Sequence, residues 1–319
     1  MLNLLWLLLG LVLLIIGGEA VVRGALAVAR RLGTSPLLAG LVIVGFGTSA
    51  PELVVSLKAA LSGEPEIAVG NVIGSNIANI LLILGVSALI VPLQAHLRCL
   101  RRDGLTLLVA SVLFMGLASI GGLSRWDGLL MLSLLAAYLV WAYRTEKADV
   151  HDPAAELHKQ KADEIEVMPM AMPVAMLVLL LGFALLIYGA DRFLLGAVGL
   201  AQTFGVPDAI IGLTVVAAGT SLPELAASIV AAVRREADLA VGNIIGSNIF
   251  NTLLIAGSAS VISPLPFTGR FLHIDQWVML GATLLLLAFL FFGLRVSRAK
   301  GAFFLLSYAA YIGVMFGFQ

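Results

Sequence analysis

A chain of 319 residues would ordinarily be read as about two soluble domains. Here 61% of the residues are hydrophobic and 12% are charged, roughly half the charge of a soluble domain, and that excludes the reading. The formal net charge of zero says little by itself, because the charges are segregated along the chain rather than mixed.

Apolar stretches long enough to cross a bilayer, about 20 residues each, recur along nearly the whole sequence. In chain order they predict ten spans, at about 3–29, 37–61, 67–91, 104–121, 126–143, 169–201, 209–233, 238–262, 274–293 and 301–318. The first is too long for a signal peptide and lacks both a basic leading region and a small-residue cleavage pattern, so it reads as a retained helix. Cys99 is the only cysteine, which excludes an internal disulfide and a cysteine-based metal site. Basic residues follow the odd-numbered spans: Arg30 and Arg31, then Arg98, Arg101 and Arg102, then Arg144, Lys147, Lys159 and Lys161. Arg234 and Arg235 follow the seventh span, and Arg295, Arg298 and Lys300 the ninth. The segments on the other side carry only Arg125 and Arg270. Cytoplasmic loops carry the excess of Lys and Arg, so both termini are expected outside the cytoplasm.

The chain repeats itself. Gly47–Gly85 aligns without a gap on Gly219–Gly257, at a constant offset of 172, with 24 identities in 39 positions. Upstream, Gly17, Glu19, Gly24, Gly33 and Gly40 fall on Gly189, Asp191, Gly196, Gly205 and Gly212. Each half holds five spans. Five is odd, so the second half enters the membrane from the opposite side, the inverted-repeat plan of secondary transporters with substrate near the midplane. The expected division is a first five-helix repeat over 1–143, a polar cytoplasmic linker over 144–168 and a second, inverted repeat over 169–319. The linker, rich in both acidic and basic residues, reads as a solvated connection.

The chemistry concentrates in two motifs. Gly47–Glu52 reads GTSAPE inside the second span, and Gly219–Glu224 reads GTSLPE inside the seventh. Pro51 and Pro223 lack an N–H and clash with the carbonyl one turn back. Gly and Pro together predict broken helices, which lipid permits only where the freed backbone lines a polar cavity. Carbonyls near Gly45 and Ala217 become oxygen ligands, Ser49 and Ser221 add hydroxyls, and Glu52 and Glu224 add charge where an uncompensated carboxylate is costly. No Lys or Arg lies in the same turn of either helix. In the next spans, Gly70–Asn79 reads GNVIGSNIAN and Gly242–Asn251 reads GNIIGSNIFN. Asn71, Ser75 and Asn79 fall on one stripe, as do Asn243, Ser247 and Asn251. Packing is the role expected of the paired glycines and of Asn76 and Asn248, and ion coordination that of Ser75, Asn79, Ser247 and Asn251. An all-oxygen set with two negative charges suits a hard cation such as Ca2+ rather than a transition metal. Two carboxylates neutralise one divalent ion or two monovalent ones.

With these residues in view, the sequence resembles a bacterial member of the Na+/Ca2+ exchanger family, within the Ca2+/cation antiporter superfamily. Its GTSAPE/GTSLPE and GNxIGSNIxN segments are similar to the family's two alpha-repeats. The resemblance implies an all-α integral membrane fold of ten helices in two inverted repeats, with broken helices two and seven forming the midplane site. It implies Ca2+ and Na+ binding by Glu52 and Glu224, completed by Thr48, Thr220, Ser49, Ser221, Ser75, Ser247, Asn79 and Asn251. It further implies alternating access by sliding of spans one and six, and a bacterial cytoplasmic membrane. In the potassium-dependent branch an Asp stands where this chain has Asn251. The expected partners are Ca2+, Na+ and the lipid bilayer, with no nucleic acid, no obligate protein partner and no cofactor beyond the transported ions.

Other readings compete. A channel needs a continuous pore, whereas an inverted duplication favours alternating access. Gly45–Ala50 superficially resembles a dinucleotide fingerprint but has no preceding strand, and no Ser/His/Asp arrangement sits at membrane depth, so no enzyme is expected. The nearest rival is a Ca2+/H+ antiporter, because two buried carboxylates can also carry protons.

Overall fold

The computed structural model describes residues 2–95, 99–148, 170–205 and 219–317. Among them, α1 spans Leu2–Leu32 and is followed by α2, Pro36–Thr48, and α3, Ala50–Leu61. Then come α4, Pro65–Ile90, strand β1, Leu93–Gln94, α5, Arg101–Ser119, and α6, Arg125–Ala148. The second half contains α7, Met172–Thr203, α8, Leu222–Val233, and α9, Ala237–Ile262. It ends with α10, Phe271–Phe291, β2, Arg295–Val296, and α11, Arg298–Gly317. Seven of these helices are long and apolar enough to cross a membrane, and α2 with α3 makes an eighth if the bent pair is one span. α8 is a shorter apolar helix of 12 residues, and α11 has 20. Part of the expected seventh span, 209–218, and most of the linker, 149–168, lie outside the described residues.

Sequence sets these boundaries locally. Ser35 caps α2, its hydroxyl accepting from the Leu38 N–H at 3.2 Å, and Pro36 occupies the first turn where no N–H is needed. Gly33 ends α1 with φ +67°, and its repeat mate Gly205 follows α7 with φ +74°. Arg30 and Arg31 sit in the last turn of α1, where the helix dipole favours cations.

Burial separates the core from the periphery. In α9, 94% of the most apolar stretch is enclosed, against 28% in α6 and α7 and 33% in α1. α9 is the central helix, and α2 crosses it backbone to backbone. A Cβ on Gly40 would lie 2.4 Å from the Leu239 carbonyl, one on Gly242 2.5 Å from Leu37 O, and one on Gly246 2.2 Å from Leu41 O. The packing role expected of the second motif's glycines is therefore seen at Gly242 and Gly246. Residues 209–216, which match Leu37–Val44 at the offset of 172, lie outside the described set, so the mirror contact of Gly70 and Gly74 is not described.

α1 and α7 form a second backbone contact, antiparallel and seven residues in period. A Cβ on Gly10 would lie 2.3 Å from the Phe193 nitrogen, one on Gly17 2.8 Å from that of Leu186, and one on Gly24 2.9 Å from that of Leu179. Gly182, Gly189 and Gly196 return the contact at Val21, Leu14 and Leu7. Small residues at this spacing let two helices touch along their length.

The halves interlock at both ends. β1 pairs antiparallel with β2, Leu93 opposite Val296, and an isolated bridge joins Leu123 to Leu265. Leu265 is the repeat mate of Leu93. In the first turn of α5, buried Arg102 holds Asp103 at 2.6 Å and Glu146 at 2.9 Å, while the Tyr138 hydroxyl donates to Asp103 at 2.9 Å and the Ser35 N–H to Glu146 at 3.2 Å. The second half repeats the theme: Asp275, the mate of Asp103, takes Arg270 Nε at 3.0 Å and the Tyr311 hydroxyl at 3.1 Å. Such clusters fix the helix ends because a buried charge without its partner is costly.

The glycine seam yields a direct test. Gly10→Val forces backbone atoms of α1 and α7 apart and is expected to lower stability by about 3 kcal/mol, the upper range for overpacking. Gly116→Ala, where a Cβ meets nothing within 4 Å, is expected to leave it unchanged or higher. Thermal unfolding of the purified variants in one detergent measures both. Equal midpoints would show that the seam does not hold the helices.

Candidate ion site between the two halves

The site starts from the turns that open α3 and α8. The chain bends by 44° between α2 and α3, with Ser49 at φ −80° and ψ 5°. Ser221, its repeat mate, precedes α8 at φ −89° and ψ 8°. Pro51 and Pro223 each fall in the first turn of the following helix, where the missing N–H costs nothing. Glu52 and Glu224 therefore also stand in first turns, where the positive end of the helix dipole favours a carboxylate.

The two acids are buried and cross-connected. Glu52 is 1% exposed and Glu224 0%. The Ser49 hydroxyl donates to Glu224 Oε1 at 3.1 Å, and the Ser221 hydroxyl to Glu52 Oε1 at 3.3 Å. Each acid is thus held by the serine of the other half. The second oxygen of each, Oε2, has no hydrogen-bond partner among the described residues. No ion pair there involves either acid.

α7 lies over the glycines that open the two motifs. A Cβ on Gly47 would be 2.1 Å from the Phe183 ring, and one on Gly219 would be 2.3 Å from Leu194. Gly45 approaches α9 closely, its Cβ position 3.0 Å from the Ser247 nitrogen. Its carbonyl, expected as an ion ligand, accepts the Ser247 hydroxyl at 3.3 Å. Ala217 lies outside the described residues.

α4 and α9 supply the polar wall, and each passes into a π-helical turn at the motif's end: Ala78–Ile83 and Phe250–Ile255. π-turns redirect side chains and often mark functional sites. Asn79 and Asn251 sit in them, both 1% exposed. Asn79 donates to Asn248 Oδ1 at 3.0 Å, leaving its own Oδ1 without a partner, and Asn251 has neither amide atom partnered among the described residues. Asn76 donates to the Thr252 hydroxyl at 3.0 Å, and Asn248 to the Asn76 carbonyl at 3.4 Å. These two amides tie α4 to α9, as expected of packing residues. Ser75 and Ser247 are buried, Thr48 is 1% exposed, and Thr220 is half-buried.

Four residues outside the expected ligand set belong to the same surroundings. Asn71 Nδ2 donates to the Glu52 carbonyl at 3.1 Å and to Ser56 Oγ at 2.9 Å. Asn243 Nδ2 does the same to Glu224 O at 3.4 Å and Ser228 Oγ at 2.9 Å. Ser56 and Ser228 are repeat mates one turn beyond the acids, and their identity in both halves was the signal that could have found them.

The arrangement offers serine hydroxyls and two orphaned carboxylate oxygens, buried where the two halves meet. Hard cations take such ligands. A buried charge of this kind is tolerated only when something positive joins it.

Comparisons with known proteins identify the family. The family model described as sodium/calcium exchanger protein matches residues 2–144 and 174–317. CaxA of Alkalimonas amylolytica is 40% identical over 315 residues, covering 97% of each chain. The sodium/calcium exchanger MaX1 of Methanosarcina acetivorans is 33% identical over 350 residues, covering 98% of each. The solved structure of the sodium-calcium exchanger NCX_Mj, soaked with zero Na+ and Ca2+, superposes with a TM-score of 0.83 at 32% identity and 98% coverage of both chains. The family and the fold are those of membrane transporters, and the chain is an integral membrane protein of the sodium/calcium exchanger family.

Proposed function

We propose that this chain exchanges Ca2+ for Na+ across the membrane by alternating access. The observation that carries the reading is the pair Glu52 and Glu224: fully buried, each held by the other half's serine, each with one oxygen unpartnered. Thr48, Ser49, Ser75 and Asn79, with Thr220, Ser221, Ser247 and Asn251, complete the ligand set. The names of the relatives MaX1 and NCX_Mj support Na+ and Ca2+ as the ions. One Ca2+ balances the two acids, and Na+ ions replace it on the return step. The full architecture in this reading is ten helices in two inverted five-helix repeats, 1–143 and 169–319, joined by a cytoplasmic linker over 144–168. Both termini face away from the cytoplasm of a bacterial inner membrane.

Glu52→Gln and Glu224→Gln keep the shape of the site and remove half its charge. Each is expected to cut Na+-driven 45Ca2+ uptake into proteoliposomes by about a hundredfold, the scale of about 3 kcal/mol for one charged contact, with unfolding midpoints intact. Wild-type uptake by both would remove the acids from the site.

Coupling is read in the same vesicles. Uptake is expected to follow an imposed Na+ gradient and not a pH gradient, and to persist without K+. Asn79 and Asn251 are neutral, so with Ca2+ balancing the two acids an added K+ would leave an uncompensated charge in a low-dielectric site. Uptake driven by pH alone would make the chain a Ca2+/H+ antiporter, and a strict K+ requirement would overturn the charge balance.

Orientation is tested at one position taken from each half. Ser62 and Arg234 are repeat mates just beyond α3 and α8. In a Cys99→Ser background, Ser62→Cys is expected to react with an impermeant maleimide on intact cells, and Arg234→Cys only after lysis. Labelling of both from one face would refute the inversion.

A further inference from the structure

We propose that Asn71 and Asn243 are positioning residues of the exchange site, and that each closes one face of it by a hydrogen bond to the threonine of the opposite half. Each asparagine anchors the turn that bears its acid, through the glutamate carbonyl and the serine one turn on, at the distances given above. α3 and α8 begin at a break, so the acid-bearing turns lack continuous helical support on one side. The asparagine supplies it from the neighbouring helix.

The two halves differ in what the asparagine does with its oxygen. Thr48 Oγ1 lies 3.2 Å from Asn243 Oδ1, and both residues are 1% exposed. The repeat mates are Thr220 and Asn71. Both are described and half-buried, and no hydrogen bond joins them among the described residues. Thr48 follows the basic end of α1 and comes before Glu52, while Asn243 follows Arg234 and Arg235 and comes early in α9. The closed pair therefore lies toward the side rich in Lys and Arg, and the open pair toward the other.

Inverted halves that exchange conformations exchange such contacts. When the site turns to the cytoplasm, the Thr48–Asn243 bond opens and the Thr220–Asn71 bond forms. When Asn243 leaves, the Thr48 hydroxyl proton keeps a second acceptor, the Val44 carbonyl at 3.0 Å, and the cost of opening falls on Asn243 Oδ1, which loses its partner.

This proposal rests on the transport reading, and its test is chosen to fail separately from it. 45Ca2+ self-exchange needs neither Na+ nor H+ as counter-ion. It is measured in membrane vesicles of both orientations, giving an apparent KM for Ca2+ at the cytoplasmic face and at the outer face. Loss of positioning weakens both faces and cancels in their ratio. Loss of a closing bond shifts the populations of the two conformations and moves the ratio. Asn243→Ala is expected to lower the cytoplasmic-to-outer KM ratio by about fivefold, the worth of one hydrogen bond, and Asn71→Ala to raise it by about as much. Thr48→Val is expected to move the ratio in the direction of Asn243→Ala whatever its flux, and Thr48→Ser to leave it in place. That pair keeps the test decisive if an asparagine variant fails to fold. Absence of wild-type self-exchange would defeat the transport reading and this proposal with it. Normal wild-type exchange with ratios that stay fixed, or move together, would defeat the proposal alone.

Discussion

A carboxylate removed from water needs a cation, a basic side chain, a proton or a full set of donors. Glu52 and Glu224 receive one serine hydroxyl and the end of a helix dipole apiece, and each keeps an oxygen in reserve. The surrounding structure follows from that deficit. The break between α2 and α3 puts Glu52 in a first turn rather than in mid-helix, and Glu224 stands in the first turn of α8. π-turns in α4 and α9 carry Asn79 and Asn251, both buried. Glycines remove side chains where α7 and α9 press closest. An apolar packing of the same helices needs none of these devices.

Serine–glutamate pairs that cross between the halves have a second effect. Neither half contains a complete site. The strand pair of β1 with β2 and the bridge of Leu123 with Leu265 join the halves again near the membrane surfaces. α1 and α7 are largely exposed and bound to each other along the glycine seam, while Gly18 of α1 packs on Ala226 and Val230 of α8.

Much of this was legible in the residues. The offset of 172 displayed the duplication, and the Gly–Pro pattern around Glu52 foretold the break between α2 and α3. The asparagines of the second motif needed finer reading. Asn76 and Asn248 were placed correctly in packing, because amides in apolar helices bind neighbouring helices. The roles of Asn71 and Asn243 were not legible, since an i, i+4, i+8 stripe does not say which carbonyl each amide reaches. The π-turns were also invisible, because they insert a residue's worth of slack without a distinctive composition. The Arg102, Asp103 and Glu146 cluster was hidden for another reason: it joins residues 44 apart that each read as surface charge near a span end.

The order of synthesis gives the crossed serine–glutamate contacts a further meaning. Glu52 waits for a partner 169 residues later in the chain, and Ser49 for one 175 residues later. Throughout translation of the first half, an acidic side chain must stay sheltered in a bilayer with its serine not yet made. Contacts so distant in sequence form late, after the entropy of closing a long loop has been overcome. Completion of the ion site and completion of the fold therefore coincide. A chain truncated or stalled between the halves would carry a half-site with one unmatched acid, the kind of polar defect within lipid that membrane quality control can recognise.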